Sequence, residues 1–295
     1  LIKNNLSVDV TVCTYNSGKV LKPCLSSIKR NIPVKTLWVI DNHSSDGTVK
    51  IAESFGANVI ESKGSLAESR QLSFSLVETP IFANVDSDIM LCEKWFDKLL
   101  PYLSPHNMGA CWGVALNMNP IQLCHYQRAM YSFKNPSRYN LIVLGDMLAK
   151  KKAVEGLTFP EGFKLGAVAG EDYYIKHFIE RKGYKTLTAP LYVEHYCNPS
   201  PLGCKTFWMG ASTRVTQRKG LIALLEHAFL SVPQAGFVVA KTHDVLVFPI
   251  WIRYRFETVY GWLHWDKYYN LKRKGSDEVL SLGEAEEMLL KGELE

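Results

Sequence analysis

The sequence contains no Cys-x-x-Cys pair, and its seven cysteines (Cys13, Cys24, Cys92, Cys111, Cys124, Cys197 and Cys204) are odd in number and scattered. That spacing suggests neither a zinc site nor a disulfide framework, so reduced, buried thiols of an intracellular protein are expected. Nor does any apolar run reach membrane-spanning length. "GLIALLEHAFLSVPQAGFVVAK" is broken by Glu226, His227 and Pro233, and "VLVFPIWI" is too short. A basic segment followed by an apolar one does not open the chain, so no signal peptide is expected. Internal repeats and low-complexity tracts are absent. Charge of one sign is scarce as well, because 34 Lys and Arg stand against 29 Asp and Glu, a net charge of +5. This mild excess lacks the dense basic field of a nucleic-acid binder, and it suits an anionic small ligand or a membrane surface.

What is present is an ordinary globular composition: 295 residues, 47% hydrophobic and 21% charged. The length suffices for one large α/β domain with an appendage. Along the first hundred residues short β-branched runs alternate with helical spacing. Strands are expected at 8–12, 36–40, 58–60 and 81–85, and helices at 19–30, 47–55 and 65–77. Such βαβ repetition predicts a mostly parallel, Rossmann-like sheet flanked by helices. Beyond residue 108, "GACWGVALNM" reads as a strand and "IQLCHYQRAMYSF" has helical spacing. Residues 171–182 read as a helix, and "YKTLTAPLYVEHY" as two strands separated by a turn at Pro190. After Lys205 the chain becomes helical and aromatic, and its charged end, "SDEVLSLGEAEEMLLKGELE", reads as a short amphipathic helix.

The chemistry sits where strands are expected to end. The fourth expected strand runs into "NVDSDI", with Asp86 and Asp88 separated by one serine. Alone, Asp-Ser-Asp is a turn. At the end of a buried parallel strand it enters the crevice where α/β proteins bind ligands, and two carboxylates there call for a cation. The first strand ends in Thr14, Tyr15 and Asn16, a polar loop that either presents N–H groups to a phosphate or base or is a plain turn with Ser17 as helix cap. The second ends at Asp41, with Asp46 and Gly47 in the next turn.

Taken in order, "VTVCTYN", "WVIDNHSSDGT", "KGSLAESRQLSF", "ANVDSDI", "GEDYYIKHFIERKGYKT" and "VEHYCNPS" resemble the successive signatures of the inverting family 2 glycosyltransferases of GT-A fold. The resemblance spans roughly residues 8–215. It departs from the family pattern at Asn42, where many members have a second acid, and at Gln71, where Asn is common. It implies a hexosyltransferase that uses a nucleotide-diphosphate sugar, UDP- or GDP-type, and a hydroxyl acceptor, either a glycan or a lipid-linked molecule.

By the same resemblance Asp88 would ligate Mn²⁺ or Mg²⁺, with Asp86 on the ribose or on the metal through water and His195 a further ligand. Asp172, beside Glu171, would be the general base of an in-line displacement. Asp41 would accept a hydrogen bond from the base ring, and Arg70, matching the Gly64-to-Arg70 segment, would face the base or the diphosphate unless it is simply an exposed helix arginine. Thr14, Tyr15 and Asn16 would line the donor, and Gly145 would lie in the donor-sugar and acceptor loop with Asp146.

The expected division is a catalytic domain over 1–215, with a nucleotide half to about 100 and an acceptor half beyond, and a helical region over 216–295. In that region Trp251, Arg253, Tyr254, Arg255, Phe256, Tyr260, Trp262 and Trp265 either cover the catalytic domain as core or rest on a bilayer interface. A cytoplasmic protein, peripheral on the membrane's cytoplasmic face, is the expectation. The alternatives are a non-catalytic nucleotide-sugar or glycan-binding module, an aspartate-nucleophile phosphatase and a sugar-nucleotide pyrophosphorylase. Met90 and the late position of the Asp pair speak against the phosphatase, and the missing Gly-rich, Arg-containing opening loop speaks against the pyrophosphorylase.

Overall fold

Strand β1 (Val8–Thr14) lies inside the sheet, and its alternation sets the two faces. Val8, Val10 and Val12 are fully buried on one side, while Asp9 and Thr11 point to the other and are satisfied there. The Thr11 hydroxyl donates to Asn84 Oδ1 at 3.1 Å, and the Asp9 carboxylate accepts the N–H groups of Glu78 and Thr79. A computed structural model describes residues 6–117, 144–160, 163, 170–196, 220–243 and 245–264.

Strands β2 (Val34–Asp41), β3 (Asn58–Glu61) and β4 (Ile81–Val85) join β1 in parallel. Helices α1 (Leu21–Asn31) and α2 (Thr48–Ser54) make the first two crossovers. Helix α3 (Leu66–Leu76) then returns the chain to the far side of β1. The strand order is β3-β2-β1-β4, so the direction of winding reverses between β1 and β4, where ligand crevices open in sheets of this type.

The other half of the sheet is mixed. Strand β7 (Asp146–Lys150) runs antiparallel to β4 and to β6 (Met108–Asn117), β8 (Lys185–His195) runs parallel to β6, and the short β5 (Ile89–Met90) closes the edge antiparallel to β8. Directions therefore bring the ends of β1, β2, β4 and β8 and the start of β7 to one edge of the sheet.

Two cores form on the two faces. Leu21, Cys24, Leu25 and Ile28 of α1, at the spacing of one helical stripe, meet the inward β1 valines together with Trp95 and Leu99 of α4 (Trp95–Leu103). On the other face Ala67 and Phe74 of α3, and Ile175 and Ile179 of α6 (Glu171–Arg181), pack on Phe82, Trp112 and Met147; a one-turn helix α5 (Lys151–Val154) contributes Ala153 and Val154.

Two local expectations are corrected. Ser17 is not a helix cap: α1 begins at Leu21 after a turn in which the Ser17 carbonyl accepts from Val20 and Leu21, and the Ser17 hydroxyl is used elsewhere. Residues 184–196 do not form two strands, because β8 is continuous through Pro190. Its pairing with β6 jumps from Trp112↔Thr188 to Val114↔Tyr192, and this bulge lets the proline, which has no N–H, leave the ladder without ending the strand. The helix expected within 121–133 and the charged tail at 276–295 lie outside the described residues.

Helices α7 (Gly220–Phe229), α8 (Ser231–Thr242) and α9 (Val247–Leu263) pack on one another around Ala235 and Trp251. Arg255 lies over the Trp251 ring, 4.9 Å from its centre. Among the described residues no helix is long and apolar enough to cross a membrane, and the expected boundary at 215 falls outside them.

Candidate active site

The loops after β1 and β2 are sewn together. The Thr14 hydroxyl donates to Asp41 Oδ1 at 2.8 Å, and Ser44 donates to the same carboxylate through its N–H (2.8 Å) and its hydroxyl (2.6 Å). Asp41, only 2% exposed, thus holds three donors of its own chain. Asn16, in a left-handed conformation at φ 46°, donates its N–H to the Ser44 hydroxyl and accepts the Ser45 N–H on its amide oxygen. Asp46 accepts from Gly18 N–H and from Thr48, fastening the start of α2 to the β1 loop. Tyr15 keeps its ring exposed at the rim.

The Asp-Ser-Asp turn is held at every residue. Asp86 N–H donates to the Gly145 carbonyl (2.8 Å), and the Asp86 carbonyl accepts from Ile89 N–H and from the Cys24 thiol. Ser87 and Ser17 share a hydroxyl hydrogen bond of 2.9 Å, and the Asp88 carbonyl accepts Tyr196 N–H from the end of β8. At Gly145 a Cβ would stand 3.1 Å from Asp86 Oδ2, so the missing side chain leaves this carboxylate its room.

Asp88 Oδ2 and His195 Nε2 are 3.1 Å apart, each side chain about a fifth exposed. The pairing Ile89↔His195 between β5 and β8 brings them together. An oxygen and an imidazole nitrogen suit a divalent cation such as Mn²⁺ or Mg²⁺ that draws its remaining ligands from phosphate and water. Among the described residues no group of three or more His, Cys, Asp or Glu is placed to hold a metal by itself.

Arg70 sits at the centre of the acids. Its Nη1 donates to Glu171 Oε1 (3.0 Å) and to Asp172 Oδ1, and its Nη2 donates to Asp86 Oδ1 (2.9 Å). Burial alone would lower the Arg70 pKa; Asp172, Asp86 and Glu171 outweigh it and hold the guanidinium charged. The arginine is neither an exposed helix residue nor turned toward open solvent, since its side chain is 3% exposed. Asp172 is raised to about 7 by burial, with Arg70 pulling it down, Glu171 and Asp86 pushing it up, and the Leu144 backbone supplying a hydrogen bond. A carboxylate tuned to that range can take a proton near neutral pH. Glu171 and Asp172 open α6 behind Gly170, at φ 97°, where the helix dipole favours acids.

The structure brings Asp86, Asp88, Arg70, Asp172, Gly145 and His195 to one edge of the sheet, with Asp41 and the Thr14–Asn16 loop farther along the same edge. Sequence reasoning missed Ser44 and Ser87, whose roles depend on loops packing together. It placed Asp146 with Gly145 in the donor-sugar and acceptor loop, whereas the side chain points inward. This residue is fully buried and accepts Trp95 Nε1–H and Gly113 N–H, each at 2.9 Å, behind the Asp86 turn. Burial, and to a lesser extent the Asp86 charge, push it to about 7 against those two hydrogen bonds.

Glycosyl transferase family 2 matches residues 9–142 of the chain. Protein RfbJ of Shigella flexneri is 32% identical over 89 residues, which are 29% of this chain and 67% of that protein. Among solved structures, the mannosyltransferase PcManGT from Pyrobaculum calidifontis, in complex with GDP-Man and Mn²⁺, superposes with a TM-score of 0.63 at 16% identity, covering 90% of this chain and 89% of its own. Glucosyl-3-phosphoglycerate synthase from Mycobacterium tuberculosis, with Mg²⁺ and UDP, gives 0.53 at 17% identity over 71% of this chain and 79% of that one. At those identities the structural likeness is one of fold, and the fold is GT-A. With a curated relative at 32% identity and a family match from β1 onward, the chain belongs to glycosyl transferase family 2.

Proposed function

We propose that the chain is a metal-dependent, inverting glycosyltransferase that moves a hexose from a UDP- or GDP-type donor to a hydroxyl acceptor. The observation that carries the reading is the acid cluster at the crevice: Asp86, Glu171 and Asp172 share one guanidinium, and the Asp88 carboxylate beside them pairs with His195 among the described residues. Among the described residues four carboxylates gather around one arginine, an excess of negative charge, and a divalent cation carrying a nucleoside diphosphate is a ligand that such a cluster fits.

Asp88 and His195 would hold the cation, with Asp86 on the ribose or reaching the cation through water. When bound, Mn²⁺ or Mg²⁺ supplies charge that stabilises the departing diphosphate. Thr14, Tyr15 and Asn16 would line the nucleotide, Asp41 would accept one N–H of the base, and Gly145 would leave room beside the sugar. Asp172 would take the acceptor hydroxyl's proton as that oxygen bonds to the anomeric carbon; the bond to the diphosphate oxygen breaks, and the diphosphate leaves with the electron pair.

The chain divides in this proposal at about residue 215, and α7–α9 would rest on the cytoplasmic face of a membrane beside a lipid-linked or glycan acceptor. The support is the apolar surface of these helices, where Phe229 is 74% and Phe256 62% exposed. The test is turnover of a panel of UDP-, GDP- and dTDP-sugars with Mn²⁺, Mg²⁺ or EDTA, for wild type and Asp88→Ala. Metal-dependent release of nucleoside diphosphate, lost in the variant, is expected. Metal-dependent binding without turnover for any acceptor offered would favour a binding module, and no binding of any donor would sink the proposal.

A further inference from the structure

We propose that Arg70 is a positioning residue, a buried brace between the Asp-Ser-Asp turn and the start of α6, and that it makes no contact with the donor. The inference rests on the transferase reading and deepens it, since it replaces the donor contact expected of this arginine with a different task.

Exposure makes the first argument. Arg70 is 3% open, whereas its partners Asp86, Asp172 and Glu171 keep 31%, 26% and 13% of their side-chain surface. An arriving ligand therefore meets the carboxylates, and the guanidinium lies behind them. Valence makes the second. Both Nη1 hydrogens are committed to Glu171 and Asp172 and one of the two on Nη2 to Asp86, while Nε is buried with no partner among the described residues, so the Nε edge is closed to a phosphate as well. Turning the fork toward a diphosphate would strip three acids of their shared cation, which buried and half-buried carboxylates resist strongly.

The arginine's own foundation is rigid. Helix α3 starts with a reciprocal capping box, Ser65 hydroxyl to Glu68 N–H and Glu68 carboxylate to Ser65 N–H. Gly64 permits it, since a Cβ there would fall 2.7 Å from the Glu68 Cβ. The Arg70 carbonyl accepts the Ser73 hydroxyl, and Ser69 is tied to Ser62. From this base a planar fork sets the mutual position of groups 101 and 102 residues away in sequence on one side and 16 on the other. Asp86 and Asp172, one at the donor and one at the acceptor proton, are thereby oriented relative to each other before either substrate arrives.

The test uses the full chain. With ¹⁵N-labelled arginine, the Arg70 Nη–H resonances are expected in slow exchange with water in the ligand-free protein, and unmoved when Mg²⁺ with UDP or GDP is added. Arg70→Lys keeps the charge but loses the fork: the saturated rate is expected to fall by roughly tenfold to a hundredfold, as small misplacements of reacting groups do. The affinity for nucleoside diphosphate should stay within about threefold, the pattern of a loss confined to the transition state. Glu171→Gln weakens one arm of the brace and carries the same kinetic test, with a smaller fall, if the lysine variant does not fold. A tenfold loss of nucleoside-diphosphate affinity at an unchanged saturated rate would place Arg70 on the donor and overturn the proposal, as would freely exchanging Nη–H groups. If the wild type binds no nucleoside diphosphate, it is the transferase reading that fails, and protection of the resonances in the free chain decides whether the brace exists.

Discussion

The crevice edge and the C-terminal helices meet water in opposite ways. Along the crevice, from Thr14 to Asp88, polar side chains range from buried, as Thr14 and Asp41 are, to partly exposed, as Asp86 is, and many are tied to a neighbouring loop, as Asn16 is to Ser44 and Ser87 to Ser17. In α7–α9 the surface is rich in apolar side chains: twelve of the sixteen large hydrophobic residues exposed among those described lie between Ile222 and Leu263. Their own core is small, centred on Ala235 and Trp251. A surface of satisfied polar groups is complete in water and waits for a small polar ligand. Large exposed apolar patches mark sites where a protein, a ligand or a membrane docks. The first region is proposed to receive a diffusible donor, and the second to lie against lipid.

The largest effects should come from the crevice. Asp172→Asn is expected to lower the saturated transfer rate on the order of a thousandfold, the usual contribution of a general base, with little change in donor affinity. The wild-type rate should rise with pH through about 7 as Asp172 loses its proton, provided chemistry limits turnover. A variant that kept more than a tenth of the wild-type rate would move the base elsewhere. At the other region, Phe229→Glu with Phe256→Glu should cut partitioning onto anionic vesicles by at least roughly a hundredfold, since burying each phenylalanine is worth about 1.5–3 kcal/mol. It should leave turnover of a water-soluble acceptor intact. Equal recovery of wild type and variant in the unbound fraction would dissolve the contrast between the two surfaces.

Much of this contrast is legible in the sequence, and its limits follow from distance along the chain. The strands β1, β2 and β4 announce themselves because each apolar run is local and ends abruptly in polar residues at Thr14, Asp41 and Asp86. Asp86, Asp88 and His195 stand out by residue type in family-like motifs. Arg70 could not be placed, because a helical period locates the backbone and says nothing of acids a hundred residues on. Ser44 and Ser87 look like ordinary turn residues until two loops touch. Pro190 reads as a break because the sequence does not reveal that β6 tolerates a bulge opposite it.

Asp146 offers a subtler test, one in stability rather than rate. Its buried carboxyl is raised from an ordinary 3.8 to about 7 in the folded chain, so between those values the folded state holds a proton that the unfolded state has released. Stability from this group is full below pH 4 and declines as pH rises to about 7, then levels off. Asp146→Asn carries a neutral side chain at every pH and still offers an oxygen to Trp95 and Gly113. Urea midpoints of wild type and variant should therefore lie close together near pH 4 and separate toward pH 8, with the variant the more stable. Parallel curves would mean that Asp146 is ionised when folded.

The smallest effect expected in the crevice is that of Ser44→Ala. Ser44 donates twice to Asp41, and only its hydroxyl bond at 2.6 Å would be lost; the N–H bond at 2.8 Å and the Thr14 hydroxyl remain. A single hydrogen bond of this kind contributes about 0.5–1.5 kcal/mol, and more when the acceptor is ionised. The same hydroxyl also accepts Asn16 N–H, so the alanine loosens the β1 loop as well as the carboxylate. If Asp41 reads the donor base, the Michaelis constant for the donor should rise by roughly three- to tenfold while the saturated rate holds, because the loss falls on binding before and during reaction alike. A fall in the saturated rate with an unchanged Michaelis constant would instead couple the β1 and β2 loops to the reacting centre, through Ser17 and Ser87, and would erase the division of labour between the nucleotide side of the crevice and its acid cluster.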